Sequence, residues 1–514
     1  MTDIAIPISA SNLTDAKAQV ELAITASPDI LELRTDYLQN LTADMLDELL
    51  AFTASKNQPV IVTCRDPRQG GQNDYPLDLR IAILTRAASA GADFIDCEYE
   101  NYRNEDTFAA IRQALSSSNT RLILSAHDFS GCFKDLGALY EEMLAADPEA
   151  IHKLVYTPAH INDCFQAFKL LKNKRSDAIV LAMGPHGVIT RILAKKLGAF
   201  LTFASLDEIA ETAPGQIAIQ TLKSLYRWDN ITPNTRLFGV IGNPVAHSLS
   251  PAIFNACFDK QGIDALYLPI LLAGEGDQFD SFIENVIDAE MDFHGFSVTI
   301  PHKAHALDYV ERKGDYLEQL AADIGAVNTL KIGFDRIVSG YNTDYAGAMD
   351  AIESALAVGK HSLHSVDVAI IGAGGVARAL VAGLSDVGAS ITIYNRTLEK
   401  AKSLAEEFNC KYAPLPKAHE TNARLIVNCT SIGMHPNVED SPLPQETIKP
   451  GTAVFDTVYN PLKTKLLQYA EQQNAKTING AEMFIRQAMA QFKIFLAKDA
   501  DENQIRKTIL KNLL

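Results

Sequence analysis

The chain is 514 residues long, more than a single hydrophobic core organises, so two to four domains are expected. Its 47% apolar and 21% charged residues are those of an ordinary globular protein. A formal net charge of -17 excludes nucleic acid and anionic membranes as expected partners, because both need a basic footprint, and leaves small-molecule substrates, whose carboxylates one local Arg or Lys can hold. The cysteines Cys64, Cys97, Cys132, Cys164, Cys257, Cys410 and Cys429 form no CxxC pair and sit in or beside apolar runs, so buried reduced thiols and no metal site are expected. The N-terminal MTDIAIPIS shows no secretory signal, and no apolar run is long enough to span a bilayer. The expected location is the cytoplasm, or a plastid for a chain whose presequence has been removed.

From the N-terminus, short β-type runs alternate with longer helical stretches. The runs are Ile4–Ile8, Ile30–Arg34, Val60–Arg65, Phe94–Tyr99, Arg121–His127, Ile151–Tyr156, Ala178–Met183 and Phe200–Ala204, with helices such as Leu77–Ala90 and Glu105–Leu115 between them. Eight strand–helix units in about 225 residues predict a (β/α)8 TIM barrel. An open doubly wound sheet is the competitor, and the lack of an obvious switch in strand order favours closure.

Barrel chemistry sits at the C-terminal ends of the strands. Glu32 and Arg34 end the second run, Arg65 the third, Glu98 lies near the end of the fourth, and His127 ends the fifth. Lys153 lies within the sixth, Arg191 follows the seventh, and Thr212 and Gln216 follow the eighth. A lysine in a core strand is costly unless paired or neutral. Lys153 therefore reads either as an imine-forming nucleophile with a lowered pKa or as an outward side chain snorkelling between helices. His127 reads either as a base or as a core histidine satisfied by a neighbour. His152 points to the opposite face of a regular strand and is assigned to packing.

The pieces ELR (Glu32–Arg34), CR (Cys64–Arg65), IDCE (Ile95–Glu98), SAHDF (Ser125–Phe129), HK (His152–Lys153), MGPHGVITR (Met183–Arg191) and APGQ (Ala213–Gln216) resemble the type I 3-dehydroquinate dehydratase family across residues 4 to 225. The resemblance implies that Lys153 forms an imine with the substrate ketone, that His127 moves the adjacent proton, and that Glu98 orients His127. It also implies that Arg191 binds the carboxylate. Glu32, Arg34, Arg65, Thr212 and Gln216 would surround the ring hydroxyls.

WDNITPNT, residues 228–235, is polar and carries a proline, and it reads as a linker closing a barrel domain at 1–227. A mixed α/β substrate domain is expected over 236–345, a Rossmann-like nucleotide domain over 346–479, and a C-terminal helical return over 480–514. In the first of these, HSLSP contributes Ser248 and Ser250, SVTIPHK contributes Thr299 and Lys303, and loop-like segments contribute Asn328 and Asp344. Each alone is a turn or cap candidate. Together they supply hydroxyls, amides, one cation and one carboxylate, which suits a hydroxylated carboxylic acid.

The segment VAIIGAGGVARAL runs an apolar strand into a glycine turn and a helix. Gly372 makes the tight turn, Ala373 lies within it, Gly374 lets a pyrophosphate approach, and Gly375, Val376 and Ala377 open the helix, with Ala377 small enough for close packing. The next strand ends in Asn395, Arg396 and Thr397. An arginine in place of the acidic residue that usually binds the ribose favours NADP over NAD. A solvent-exposed Arg396 and a helix-capping Thr397 are the plainer alternatives.

The stretch from about residue 236 to the C-terminus resembles the shikimate dehydrogenase family through GNPVAHSLSP, FSVTIPHK, GAVNT, GYNTDYAG, GAGGVARA, NRT, NCTSIGM, YNPLKTKLL and GAEMFIRQAMAQF. That resemblance implies that Ser248 and Ser250 hold the carboxylate and that Thr299, Asn328 and Gln487 line the hydroxyl-binding wall. Lys303 and Asp344 would form the polar pair beside the reacting carbonyl, with Tyr459 on the substrate side. Asn428, Thr430, Met434 and Gly480 would border the nicotinamide and the hinge. The two resemblances imply consecutive steps, dehydration and then NADPH-dependent reduction. Alternatives are a quinate-preferring second half, another lysine-imine lyase or aldolase in the barrel, and a half retained only for binding or scaffolding.

Overall fold

The computed structural model describes residues 2–207, 214–313, 316–356 and 359–513, so the expected Thr212 lies outside the described residues. The chain divides into two units: residues up to Leu237 with Asp264–Phe293, and Phe238–Ile263 with His294 onward. No helix among the described residues is long and apolar enough to cross a membrane.

The first unit carries β1 (Asp3–Ile8), β2 (Ile30–Arg34), β3 (Val60–Thr63), β4 (Phe94–Glu98), β5 (Arg121–Asp128), β6 (Ile151–Tyr156), β7 (Ala178–Ala182) and β8 (Leu201–Phe203). Neighbours are parallel in the order β7-β6-β5-β4-β3-β2-β1-β8. Phe200, just before β8, donates its N–H to the Ala178 carbonyl at the head of β7 at 2.8 Å, which draws the two ends together. The eight-stranded (β/α)8 barrel expected from the alternation is the fold, and the open sheet is set aside. Helices on its outside start at side-chain caps, with Asn12, Thr42, Asn104 and Asp135 each accepting from a first-turn N–H. β3 ends two residues earlier than its apolar run suggests. The Asp66 N–H there bonds the Glu98 carboxylate at 3.0 Å and not a backbone carbonyl of the neighbouring strand.

Alternate residues of each strand face inward. Ala5, Ile30, Ile61, Ile123, Ile151, Ile179 and Leu201 form an apolar plug. Two residues further along their strands come Glu32, Thr63, Ser125 and Lys153, joined by Asp96, and all five are buried. This polar tier is knitted by hydrogen bonds from Thr63 to Glu32 at 2.9 Å, Ser125 to Asp96 at 2.6 Å and Lys153 to Asp96 at 2.9 Å. His152 faces the other way, with its ring nitrogens at 2.8 Å from Ser176 Oγ and 3.1 Å from the Asp147 carbonyl, the packing role expected of it.

Beyond the barrel follow β9 (Arg236–Gly242), β10 (Ala265–Leu271), β11 (Phe293–Val298), β12 (Thr329–Ile332) and β13 (Val338–Tyr341). In the second unit β9, β11, β12 and β13 lie in that order, with β11–β12 and β12–β13 antiparallel. A second sheet in that unit is built from β14 (Asp367–Ile371), β15 (Ser390–Asn395), β16 (Lys411–Pro414), β17 (Leu425–Asn428), β18 (Ala453–Asp456) and β19 (Lys476–Ile478). It is parallel, in the order β16-β15-β14-β17-β18-β19. Val368 and Ile370 enter one core while Ala369 and Ile371 enter another, so β14 is covered on both faces. The chain runs outward from β14 in one direction and resumes at β17 on its other side. The crevice at the end of β14 is therefore the switch point where open α/β sheets bind ligands. The helix Gly480–Leu496 returns to the helix Ser250–Lys260, stacking Phe492 on Phe254 with ring centroids 6.2 Å apart.

Candidate active sites

In the barrel, one cavity of about 500 Å³ is lined by Glu32, Arg34, Arg65, His127, Lys153, Arg191 and Gln216 among others. Seven residues expected from the sequence thus meet in one place. Lys153 points inward from β6, which rules out the snorkelling alternative. Its Nζ lies 2.9 Å from Asp96 Oδ2, 3.6 Å from Glu32 Oε1 and 4.4 Å from the centre of the Phe203 ring. Arg65 grips Asp96 with two hydrogen bonds, at 2.9 and 2.7 Å, and reaches Glu98 at 3.0 Å. Burial alone would raise the Asp96 carboxyl, but the charges of Arg65 and Lys153 and the Arg65 hydrogen bonds outweigh it and hold it far below the usual carboxylate range. Arg34 makes two 2.8 Å bonds to Asp36 and one of 3.2 Å to the Gly70 carbonyl, so the loop after β3 is tied to β2.

His127 is half-buried at the end of β5. The oxygen of Gln69 accepts its backbone N–H at 3.0 Å and lies 3.2 Å from Nδ1. That contact assigns the ring hydrogen to Nδ1 and leaves the Nε2 lone pair as the basic site. Burial, then the positive charges of Arg65 and Lys153, hold the imidazole well below the usual histidine range against the opposing pull of Asp96. The expected role of Glu98 needs correction on geometry. Its carboxylate accepts from Arg65, from the Asp66 N–H and from Asn101 at 2.9 Å, and Gln69 takes the place beside His127. Asp96 and Gln69 went unnoticed in the sequence, although Asp96 lies two residues before Glu98 and so on the same inward face.

In the second unit, Lys303 Nζ donates to Asp344 Oδ2 at 2.5 Å. Asn328 Nδ2 donates to Asp344 Oδ1 at 2.8 Å, while its Oδ1 accepts the Thr343 N–H at 2.8 Å. Gln491, on the helix Gly480–Leu496, anchors the Asn328 backbone. Its Nε2 donates to the Asn328 carbonyl at 3.3 Å and its Oε1 accepts from Ser297 Oγ at 2.7 Å. Thr299 and Lys303 lie on the segment after β11, which adjoins the segment after β9 through Asn243 N–H to Ile300 O at 3.0 Å. Ser248 and the buried Ser250 stand on that neighbouring segment, with the Ser250 N–H directed at Ser248 Oγ at 3.3 Å. Gln487 is half-buried on the helix that also carries Gln491, and Tyr459 stacks on Phe484 with centroids 5.0 Å apart.

At the switch point Gly372 adopts φ +112, and a Cβ there would meet the Cys429 carbonyl at 3.0 Å. Ala373 and Val376 are half-buried and Ala377 fully so, where the helix meets the sheet. A Cβ built on Gly374 or Gly375 would meet nothing within 4 Å, so the helix N-terminus opens on empty space that a diphosphate fits. Asn395 Nδ2 turns inward to the Thr397 carbonyl at 2.8 Å, and Arg396 is exposed. Thr397 occupies the N-cap position without a side-chain cap bond, leaving its hydroxyl directed elsewhere. Asn428 bonds Thr430 Oγ1 at 2.7 Å and Asp456 at 3.0 Å; burial lifts the Asp456 carboxyl to about 6 despite its hydrogen bonds. Met434, on the segment after β17, is a large apolar side chain left 45% exposed. Gly480 has no room for a side chain, because a Cβ would lie 2.4 Å from the Thr457 carbonyl.

A lysine-bearing barrel, followed by a Lys–Asp pair and a glycine turn at a sheet's switch point, defines a two-headed enzyme of carbonyl chemistry. Models of known families match in the same order: type I 3-dehydroquinase over residues 4–233, shikimate dehydrogenase substrate binding domain over 240–330, and shikimate/quinate 5-dehydrogenase over 354–445. The chloroplastic bifunctional 3-dehydroquinate dehydratase/shikimate dehydrogenase of Arabidopsis thaliana is 34% identical over 96% of this chain and 81% of its own length. The NADP(+) shikimate dehydrogenase of Methanothermobacter thermautotrophicus is 39% identical over 52% of this chain and 94% of its own. A solved shikimate dehydrogenase in complex with NADP+ superposes with a TM-score of 0.51 at 34% identity, covering 55% of this chain and 98% of that one. The chain belongs to the bifunctional 3-dehydroquinate dehydratase/shikimate dehydrogenase family.

Proposed function

We propose that the barrel dehydrates 3-dehydroquinate to 3-dehydroshikimate through an imine on Lys153, and that the second half reduces this product to shikimate with NADPH. The observation that carries the reading is the buried Lys153 amine facing the same cavity as His127. Lysine ammonium and ketone combine: Nζ bonds the ketone carbon, the carbonyl oxygen leaves as water with two of the ammonium protons, and a protonated imine remains. His127 Nε2 takes the adjacent carbon-bound proton, and the C–H electrons flow into a neutral enamine. The enamine expels the β-hydroxyl, which leaves as water with the proton from His127, and hydrolysis returns Lys153. Arg191 holds the substrate carboxylate, while Glu32, Arg34, Arg65 and Gln216 meet the ring oxygens. Because His127 is held neutral, the dehydration kcat/KM should stay level as pH falls through the ordinary histidine value of 6.5 and decline only at lower pH. A pH–rate profile centred on 6.5 would remove His127 as the base.

Bound NADPH supplies the hydride for the second step. Ser248 and Ser250 hold the carboxylate, Thr299, Asn328, Gln487 and Tyr459 line the ring, and Lys303 delivers a proton to the developing alkoxide while Asp344 orients it. The empty space at Gly374 and Gly375 takes the diphosphate, and Arg396 with Thr397 takes the 2′-phosphate. Asn428, Thr430, Met434 and Gly480 shape the nicotinamide end. Arg396→Gln should raise KM for NADPH by about 10- to 100-fold, the worth of one charge-assisted contact, and leave NADH use unchanged. Steady-state kinetics with both cofactors checks this; equal losses would sink the phosphate contact. The whole reading is tested by giving purified protein 3-dehydroquinate and NADPH and following both products. Failure to form either one refutes the half concerned.

A further inference from the structure

Titratable or charged groups surround Lys153 from four elements: Asp96 on β4, Glu32 on β2, Arg65 after β3 and the neutral His127 on β5. The two carboxylates are not equivalent. Asp96 is in hydrogen-bond contact with Nζ at 2.9 Å, whereas Glu32 stands 3.6 Å away and is already bonded by Thr63. Asp96 is wholly buried and fixed by Arg65 and by Ser125 Oγ at 2.6 Å, so it cannot swing away during the reaction. Arg65 also lowers its proton affinity far below that of an ordinary carboxylate, which makes it too weak a base to take the proton from carbon.

We propose that Asp96 is the fixed counter-ion of the iminium nitrogen formed on Lys153. This rests on the imine reading above. Ammonium plus ketone gives iminium plus water, so one positive charge stays on Nζ and Asp96 meets it before and after. The charge leaves Nζ only in the enamine, when the α-proton passes to His127, and returns when the hydroxyl departs as water. A lone carboxylate would hold the iminium too tightly for that proton to leave. The two bonds from Arg65 draw off part of the Asp96 charge, so the same anion favours the iminium without trapping it.

The test is borohydride trapping with 3-dehydroquinate between about pH 6 and about pH 9, quantified by mass spectrometry at Lys153, since borohydride reduces the protonated imine. The unaltered protein should be trapped evenly across this range. An anion within bonding distance shifts a partner's titration by one to three units, so Asp96→Asn should lose at least about tenfold of its trapping towards the alkaline end. Circular dichroism reports whether that variant folds. Ser125→Ala, which keeps the charge and loosens its anchor, should shift the profile the same way by about two- to threefold. Flat profiles in Asp96→Asn, or in Ser125→Ala should the former not fold, overturn the counter-ion. No trapping in the unaltered protein would instead take down the imine itself, and the counter-ion with it.

Discussion

Lys153→Met should abolish dehydration, by on the order of 10⁴-fold or more, because no other lysine lines the cavity among the described residues. The variant should still fold. Methionine fills the same space, Asp96 keeps its two hydrogen bonds to Arg65, and Glu32 keeps the Thr63 hydroxyl at 2.9 Å, so each buried carboxylate retains a donor. Reduction of supplied 3-dehydroshikimate should proceed at the unaltered rate, because its reacting groups, Lys303 and Asp344, belong to the other unit. Separate assays of the two steps check this. Equal loss of both activities would undermine the division of labour between the two sites.

Asp344→Asn should cost reduction about 10²- to 10⁴-fold in kcat, the usual worth of a positioned acid–base group, and leave dehydration intact. The carboxylate now receives Lys303 at 2.5 Å and Asn328 Nδ2 at 2.8 Å. An amide at that position can accept from only one of them, and its own NH2 must face the other donor. Lys303 then loses its anchor and its orientation toward the alkoxide. KM for 3-dehydroshikimate should move far less than kcat. A loss below about tenfold would show that Lys303 needs no partner.

The barrel was legible because Val, Ile and Leu runs recur at strand length and because inward positions repeat every second residue. The same period placed Glu32, Arg34, Arg65, His127 and Lys153 on one lining and His152 behind it. Gln69 was not legible, because a glutamine after a proline in a loop reads as solvent-facing. Only the turn ending at Gly70, whose carbonyl Arg34 holds, carries it to His127. Gln491 escaped for a related reason. It lies on the last long helix, and its contacts with Ser297 and Asn328 join residues more than 160 positions apart, a distance across which local periodicity carries no information. Asp96 stands two residues before Glu98 in the IDCE motif, where the resemblance places a role beside His127 on Glu98 and none on Asp96. In the structure the earlier residue lies 2.9 Å from the Lys153 amine.

The polar tier above the apolar plug ties the lifetime of the fold to that of the chemistry. Arg65 alone joins Asp96, Glu98 and Ser125 inside the barrel. Deleting one member of such a buried pair typically costs about 3–5 kcal/mol, a large share of a domain's stability. A lineage that no longer needed dehydration could lose the Lys153 amine alone, since methionine strands no anion, but not Arg65, whose loss would strip Asp96 of both guanidinium hydrogen bonds. A dormant but folded barrel would therefore keep the arginine and its carboxylates long after the amine had gone.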